Sequence, residues 1–169
     1  VFNWIKKSEE VYYSLRKIPK ISKKEINFLI EKSKMNKRKR CRLCTHKNEN
    51  DISHEMFIVH LKDCYIRPHK HQDKVESLSV IDGEADAIFF DDNGNITEKI
   101  QLGVFSSGKN FYYRIEKNIF HMLIIKSEYF IFHENTLGPF KNNTIIYPNW
   151  SPEQYDQSFI DKINHNSNK

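Results

Sequence analysis

The sequence predicts a mainly β domain, a jelly roll or small barrel of roughly eight short strands, preceded by a helical, basic N-terminal arm. Three observations predict it. From about Met56 onward, short runs rich in Ile, Val, Phe and Tyr alternate with turn residues, as half-buried strands do. Ahead of them, apolar residues recur at helical spacing behind a capping sequence. Charge divides at the same place: residues 1–47 carry 15 Lys and Arg against 4 Asp and Glu, net +11, whereas residues 48–169 are net −6.

The elements follow in order. Residues 8–17 read as a short helix, because Val11, Tyr12 and Leu15 fall at helical spacing, and Pro19 ends it. Ser22-Lys23-Lys24-Glu25 is a capping box with Ile21 and Ile26 placed as a hydrophobic staple, so a second helix runs over 23–34. Its face of Ile26, Leu29 and Ile30 is too small for a core of its own and packs on the domain that follows. Strands are expected at 56–61, 64–67, 75–81, 85–90, 96–102, 111–115, 122–125 and 129–132. Asp91-Asp92-Asn93-Gly94-Asn95 is a hairpin turn, since Asn and Gly tolerate positive φ. After Trp150 apolar residues thin out, and 165–169 reads as a loose tail. The chain therefore divides into an arm over 1–47, a barrel over 48–152 and a tail over 153–169.

A chain of 169 residues holds one domain with a substantial core and is short for two. Aromatic content of 13%, with five Gly and five Pro, argues against disorder despite 29% charged residues. Cys41, Cys44 and Cys64 do not form the even, dense set of an extracellular disulfide framework, so a reducing compartment is expected. No run approaches the roughly 20 apolar residues that span a bilayer, and the start lacks a secretory pattern. These features point to a cytoplasmic protein with no membrane span.

The chemistry concentrates in Pro68-His69-Lys70-His71-Gln72-Asp73-Lys74-Val75-Glu76, with Gly83 and His121 further on. His69 and His71, two apart on an extended segment, point to one side, so both imidazoles can reach one cation. Glu76 opens an apolar run that can return its carboxylate to the same ion, and His121 heads another strand able to deliver a fourth ligand. Imidazole and carboxylate suit one divalent first-row metal per chain, such as iron, manganese, zinc or nickel.

The register His-x-His, four residues, Glu, six residues, Gly resembles the first motif of the cupin superfamily, filled here by His69, His71, Glu76 and Gly83. The resemblance implies a small jelly-roll barrel holding a metal on these residues and on a second-motif His, which is His121. The first motif's leading Gly is Asp63 here. The second motif's Pro, Gly and Asn are Glu116, Asn118 and Ile125.

A closer resemblance covers most of the chain. Lys37 to His46, Asp73-Lys74, Glu134 with Gly138-Pro139-Phe140, and Pro148-Asn149-Trp150-Ser151-Pro152-Glu153 are similar to the WbuC family of cupin-fold metalloproteins. That resemblance implies a setting of O-antigen and other surface-polysaccharide chemistry, and a homodimer as the cupin default.

Further candidates surround the motif. Cys41-x-x-Cys44-x-His46 resembles half of a zinc knuckle that Cys64 would complete; the competing reading is a strand whose Cys41, Leu43 and Thr45 share one face. Arg38, Arg40 and Arg42 share the other face, and Arg40, with Arg38 or Arg42, is expected to point toward the metal pocket, where a guanidinium fork suits phosphate or carboxylate. Plain solvent-facing charge is the alternative. Arg38, Arg40, His46 and Lys74 are the candidate substrate-binding residues. Glu134, as proton acceptor or Arg40 partner, and Lys74, which can neutralise a substrate anion, are the catalytic candidates. His133 and Glu134 face opposite ways, so at most one enters the pocket.

These residues predict a metal-dependent enzyme of isomerase or epimerase type acting on a sugar or sugar-derived anion in surface-polysaccharide biosynthesis. A metal-dependent dioxygenase and a noncatalytic, metal-anchored binding or regulatory module are the alternatives. Nucleic-acid binding is disfavoured, because residues 36–47 contain no aromatic side chain for base stacking.

Overall fold

The computed structural model describes residues 3–139 and 145–166. The chain opens with a hairpin of β1 (Trp4–Lys6) and β2 (Val11–Ser14), followed by α1 (Lys23–Met35). Then come β3 (Arg40–Cys44), β4 (Ser53–Leu61), β5 (Lys70–His71), β6 (Glu76–Phe90) and β7 (Ile96–Leu102). A 3-10 turn at Phe105–Ser107 leads to β8 (Tyr112–Ile115), β9 (Phe120–Leu137), β10 (Ile145–Ile146) and α2 (Gln157–Asn166).

The main sheet runs β1-β2-β3-β4-β9-β6-β7, with β8 pairing the first residues of β6 and β7 its last, and β5 and β10 forming a separate two-stranded sheet. It curls because β6 and β9 are long and bent. Residues 75–81 and 85–90, expected as two strands, form one, as do 122–125 and 129–132. Register shifts at Val80/Asp82 and Gly83/Ala85 bend β6 without ending it. Gly83 has φ +82, and a Cβ there would overlap the Tyr129 carbonyl oxygen, so the bend requires glycine. The expected 96–102 strand and the Gly94 turn, at φ +86, are in place, whereas 64–67 is extended without pairing.

Pleating separates two cores. Inside the curl lie Met56, Ile58, Leu78, Phe130 and Phe132. Outside, Cys41, Leu43, Val59 and Ile131 pack under Leu29 of α1, which is fully buried. The helix starts where expected: Ser22 accepts from the Lys24 N–H, and the Glu25 carboxylate accepts from the Ser22 N–H at 2.9 Å. Ile21 and Ile26 both join the cluster beneath.

The N-terminal arm is not helical before Lys23. Residues 8–17, expected as a helix, contain β2, which pairs in parallel with β3 through Val11↔Arg42 and Tyr13↔Cys44. The physical reason is the run Val11-Tyr12-Tyr13, whose β-branched and aromatic side chains favour a pleated surface. Tyr12 enters the outer core while Val11 and Tyr13 pack against the inner one, a period of two. The arm is thus an extension of the sheet carrying one helix. The tail is also more ordered than expected: Phe159, Ile160 and buried Ile163 of α2 pack beside Ile88, Phe90 and Met122. Of the expected loose end, 167–169 lies outside the described residues. Among the described residues, no helix is long and apolar enough to cross a membrane.

Candidate metal centre and cavity

The four predicted ligands converge because β5, β6 and β9 meet at one end of the curl. His69 and His121 form a two-way bridge, with N–H to O=C distances of 3.1 and 2.9 Å. Glu76, the first residue of β6, pairs with Thr136 and Ile115 and so faces inward. Ring nitrogens of His69, His71 and His121 all lie within 4.8 Å of one another. Glu76 Oε1 is 3.0 Å from His71 Nε2 and Oε2 is 3.4 Å from His121 Nε2. Asn118, standing where the second motif has Gly, adopts φ +66, a left-handed conformation Asn tolerates, and donates its N–H to the His71 carbonyl at 2.7 Å.

This donor set fits a divalent metal. His69 Nδ1 and His121 Nδ1 lie 2.9 and 3.0 Å from the carbonyls of Arg67 and Ile119, so each Nδ1 is placed to donate, and at His69 this leaves the Nε2 lone pair for a metal. Burial lowers the His121 pKa, but the Glu76 carboxylate beside its Nε2 outweighs this and raises it, so a metal there would displace a proton. Such backbone contacts fix the tautomer of metal-ligating imidazoles. Burial pushes the His69 ring down to about 3, which keeps it neutral as a ligand must be. Burial also pushes Glu76 upward, but hydrogen bonds with His121 and His71 outweigh it and hold the carboxyl well below the usual range.

The centre opens into a cavity of about 1450 Å³ inside the curl. Glu134 lines it from β9 while His133 faces outward and pairs with Glu55 at 2.5 Å, so only one of the two enters, as the alternation requires. Burial, then the Glu76 charge, push the Glu134 carboxyl up to about 7, with Arg42 and Lys74 pulling it down. Lys74, buried, and His46 also line the cavity. His46 stacks on His54 at 4.1 Å, and its Nδ1 is 3.1 Å from the Glu55 N–H.

Arg38 and Arg40 reach the same wall but converge on Glu10, whose Oε2 is 3.5 and 2.8 Å away. Arg40 does not pair with Glu134. Cys41 and Cys44 fall on opposite faces of β3, in the outer and inner cores, and burial raises their thiols to about 12 and about 11. That excludes the half-knuckle and supports the strand with Cys41 and Leu43 on one face. His54 and His60 are also buried and line the cavity. Their even spacing along β4 with Met56 and Ile58 is the signal that places them there.

Residues 21–102 match a family model described as a domain of unknown function, DUF6016. No curated protein sequence matches the chain. Its architecture is that of a small, mainly β jelly roll. Among solved structures it resembles CapF bound to the inhibitor 3-isopropenyl-tropolone, at 15% identity over 63% of this chain and 31% of that one, with a TM-score of 0.51. An uncharacterized protein with a double-stranded β-helix domain from Klebsiella pneumoniae is 18% identical over 64% of this chain and 79% of that one, TM-score 0.48. KdgF from a Halomonas species is 10% identical over 62% and 82%, TM-score 0.48. The chain spans less than a third of CapF, and at these identities the likeness concerns the fold alone.

The inner wall is built in levels set by strand register. Glu76 sits opposite Thr136, which sits opposite His54. One level along, Glu134 lies opposite Met56 and Leu78, and Met56 opposite Cys44. At the next, Arg42 lies opposite Ile58. Glu134 therefore stands between the imidazole cluster and the basic wall.

Proposed function

We propose that the chain is a WbuC-type cupin metalloenzyme of isomerase or epimerase type, acting on a sugar or sugar-derived anion in the biosynthesis of surface polysaccharide such as O-antigen. The observation that carries the reading is the convergence of His69, His71, His121 and Glu76 in a cavity whose wall presents the Glu134 carboxyl one register level away from Glu76. A divalent cation held by these four residues supplies Lewis-acid polarisation of a ligand oxygen. Glu134 takes the proton from the carbon beside a carbonyl and returns it to a neighbouring carbon, a role suited to a carboxyl displaced toward neutral pH. Lys74 offsets the charge of an anionic ligand. The sugar setting rests on the likeness of Lys37 to His46, of Asp73-Lys74 and of Pro148 to Glu153 to the WbuC family. The cupin resemblance supports a homodimer, and the three free cysteines support a reducing, cytoplasmic compartment.

Glu134 also separates this reading from a noncatalytic module, which needs no titratable group beside its ligand. The test has two parts. Protein purified without chelator contains near-stoichiometric divalent metal; a well-folded, metal-free protein refutes the centre. Incubated in D2O with a panel of sugar nucleotides and sugar acids, the metal-loaded protein exchanges a carbon-bound hydrogen, and Glu134→Gln abolishes the exchange while keeping the metal. Exchange unaffected by that substitution removes Glu134 from the chemistry.

A further inference from the structure

Among the described residues, four buried side-chain polar atoms lack a hydrogen-bond partner: Arg42 Nε, His54 Nε2, His60 Nδ1 and His71 Nδ1. All four residues line the one cavity. Buried polar groups are otherwise satisfied almost without exception, so orphans gathered on one wall mark the surface that a ligand completes.

Arg42 is the charged member. It faces the cavity because its neighbours Cys41 and Leu43 are committed to the outer core. Its backbone is fixed, the N–H donating to the Glu10 carbonyl at 2.8 Å. Its side chain is left over: Glu10, the carboxylate on that wall, is taken by Arg40 and Arg38, and no ion pair reaches Arg42 among the described residues. A guanidinium holds its charge throughout the physiological range, so it cannot relieve burial by losing a proton. Leaving such a charge unpaired disfavours the empty fold, and an incoming acceptor removes that penalty.

We infer that Arg42 is the anchor for a carboxylate-bearing ligand of this cavity, gripping the carboxylate along the Nε edge of its guanidinium. The inference deepens the reading above by naming the ligand's anionic group and the residue that holds it. A carboxylate presents two acceptors in one plane, matching the guanidinium fork. Phosphate carries more charge and more acceptors, and the neighbouring inward arginine, Arg40, is already engaged by Glu10 at 2.8 Å. Successive inward levels of a strand are roughly 7 Å apart, so a ligand held at Arg42 extends past Glu134 toward the imidazoles.

The test uses the metal-loaded chain and three probes, succinate, D-gluconate and inorganic phosphate, read by calorimetric titration and thermal unfolding. At least one carboxylate binds saturably, and Arg42→Met weakens it tenfold or more, with Arg42→Lys intermediate. Without ligand, Arg42→Met unfolds at the same or a higher temperature, because it removes a guanidinium whose buried Nε has no partner; a purely structural arginine would give a lower one. Retained carboxylate affinity in Arg42→Met, a lowered ligand-free unfolding temperature, or binding of phosphate alone or of no probe overturns the inference. Metal content is measured on the same samples. A metal-free chain that binds carboxylate through Arg42 refutes the metal centre and leaves the anchor standing.

Discussion

Glu134→Gln tests the electrostatics of the cavity without reference to any substrate. In the folded chain the carboxyl is pushed up to about 7, chiefly by burial and then by the Glu76 charge. An unfolded Glu titrates near pH ~4.3. Between those values the folded state holds a proton that the unfolded state has released. The stabilisation this gives is complete below about pH 4.3 and is lost as pH rises through about 7. The full interval corresponds to roughly 4 kcal/mol, and because the half-buried carboxyl meets cavity water, about 1–3 kcal/mol is expected. Glutamine keeps the shape and cannot ionise.

The variant should therefore match the wild type at pH 4.5 and exceed it by about 1–3 kcal/mol at pH 8. Urea unfolding of both proteins at a series of pH values measures this, and the difference between the curves cancels the titrating groups remote from Glu134. Chelator-treated protein is used, since a cation beside Glu76 would add a charge that favours the carboxylate. A difference independent of pH, or one that shrinks as pH rises, refutes the placement of Glu134 in a poorly solvated wall.

Three further outcomes are expected. His71→Ala removes one of the converging imidazoles and should lower metal affinity by at least about 100-fold with the β circular-dichroism signal retained, measured by competition with a chromogenic chelator. Gly83→Ala forces a Cβ onto positive φ and against the Tyr129 carbonyl, so urea unfolding should show a loss above about 1–2 kcal/mol. Ser22→Ala removes the N-cap of α1 and should cost about 1 kcal/mol, seen as a fall of about 2–4 °C in the unfolding temperature with metal content unchanged.

What the sequence made legible was local. The Ser22 capping box, the Asp91 to Asn95 turn and the alternation of 96–102 are each specified within a few residues, and each is found in the structure. The His69, His71 and Glu76 set was legible for the same reason, since a two-residue period fixes the side of a strand. Val11 to Ser14 was misread because three apolar side chains fit helical and strand spacing alike, and only the free edge of β3 decides between them. The bends in β6 and β9 were invisible as bends, because a bulge at Gly83 and a turn at Gly83 look the same in sequence. Asn118 takes a left-handed conformation that its residue type permits but does not announce.

The arginine triplet shows where such reading stops. Arg38, Arg40 and Arg42 are equivalent by alternation, and the sequence favoured Arg40 because nothing local distinguishes them. The distinction comes from Glu10, 30 residues before Arg40, which the parallel pairing of β2 and β3 brings to their wall. Its carboxylate takes Arg40 at 2.8 Å and Arg38 at 3.5 Å, while its carbonyl anchors the Arg42 backbone. The N-terminal hairpin thus does more than extend the sheet. By engaging two of the three arginines with one carboxylate, it leaves the third guanidinium without an ion pair and facing the cavity. Residues 1–14 lie ahead of the span matched by the family model, so the selection of Arg42 depends on a part of the chain which that model does not cover.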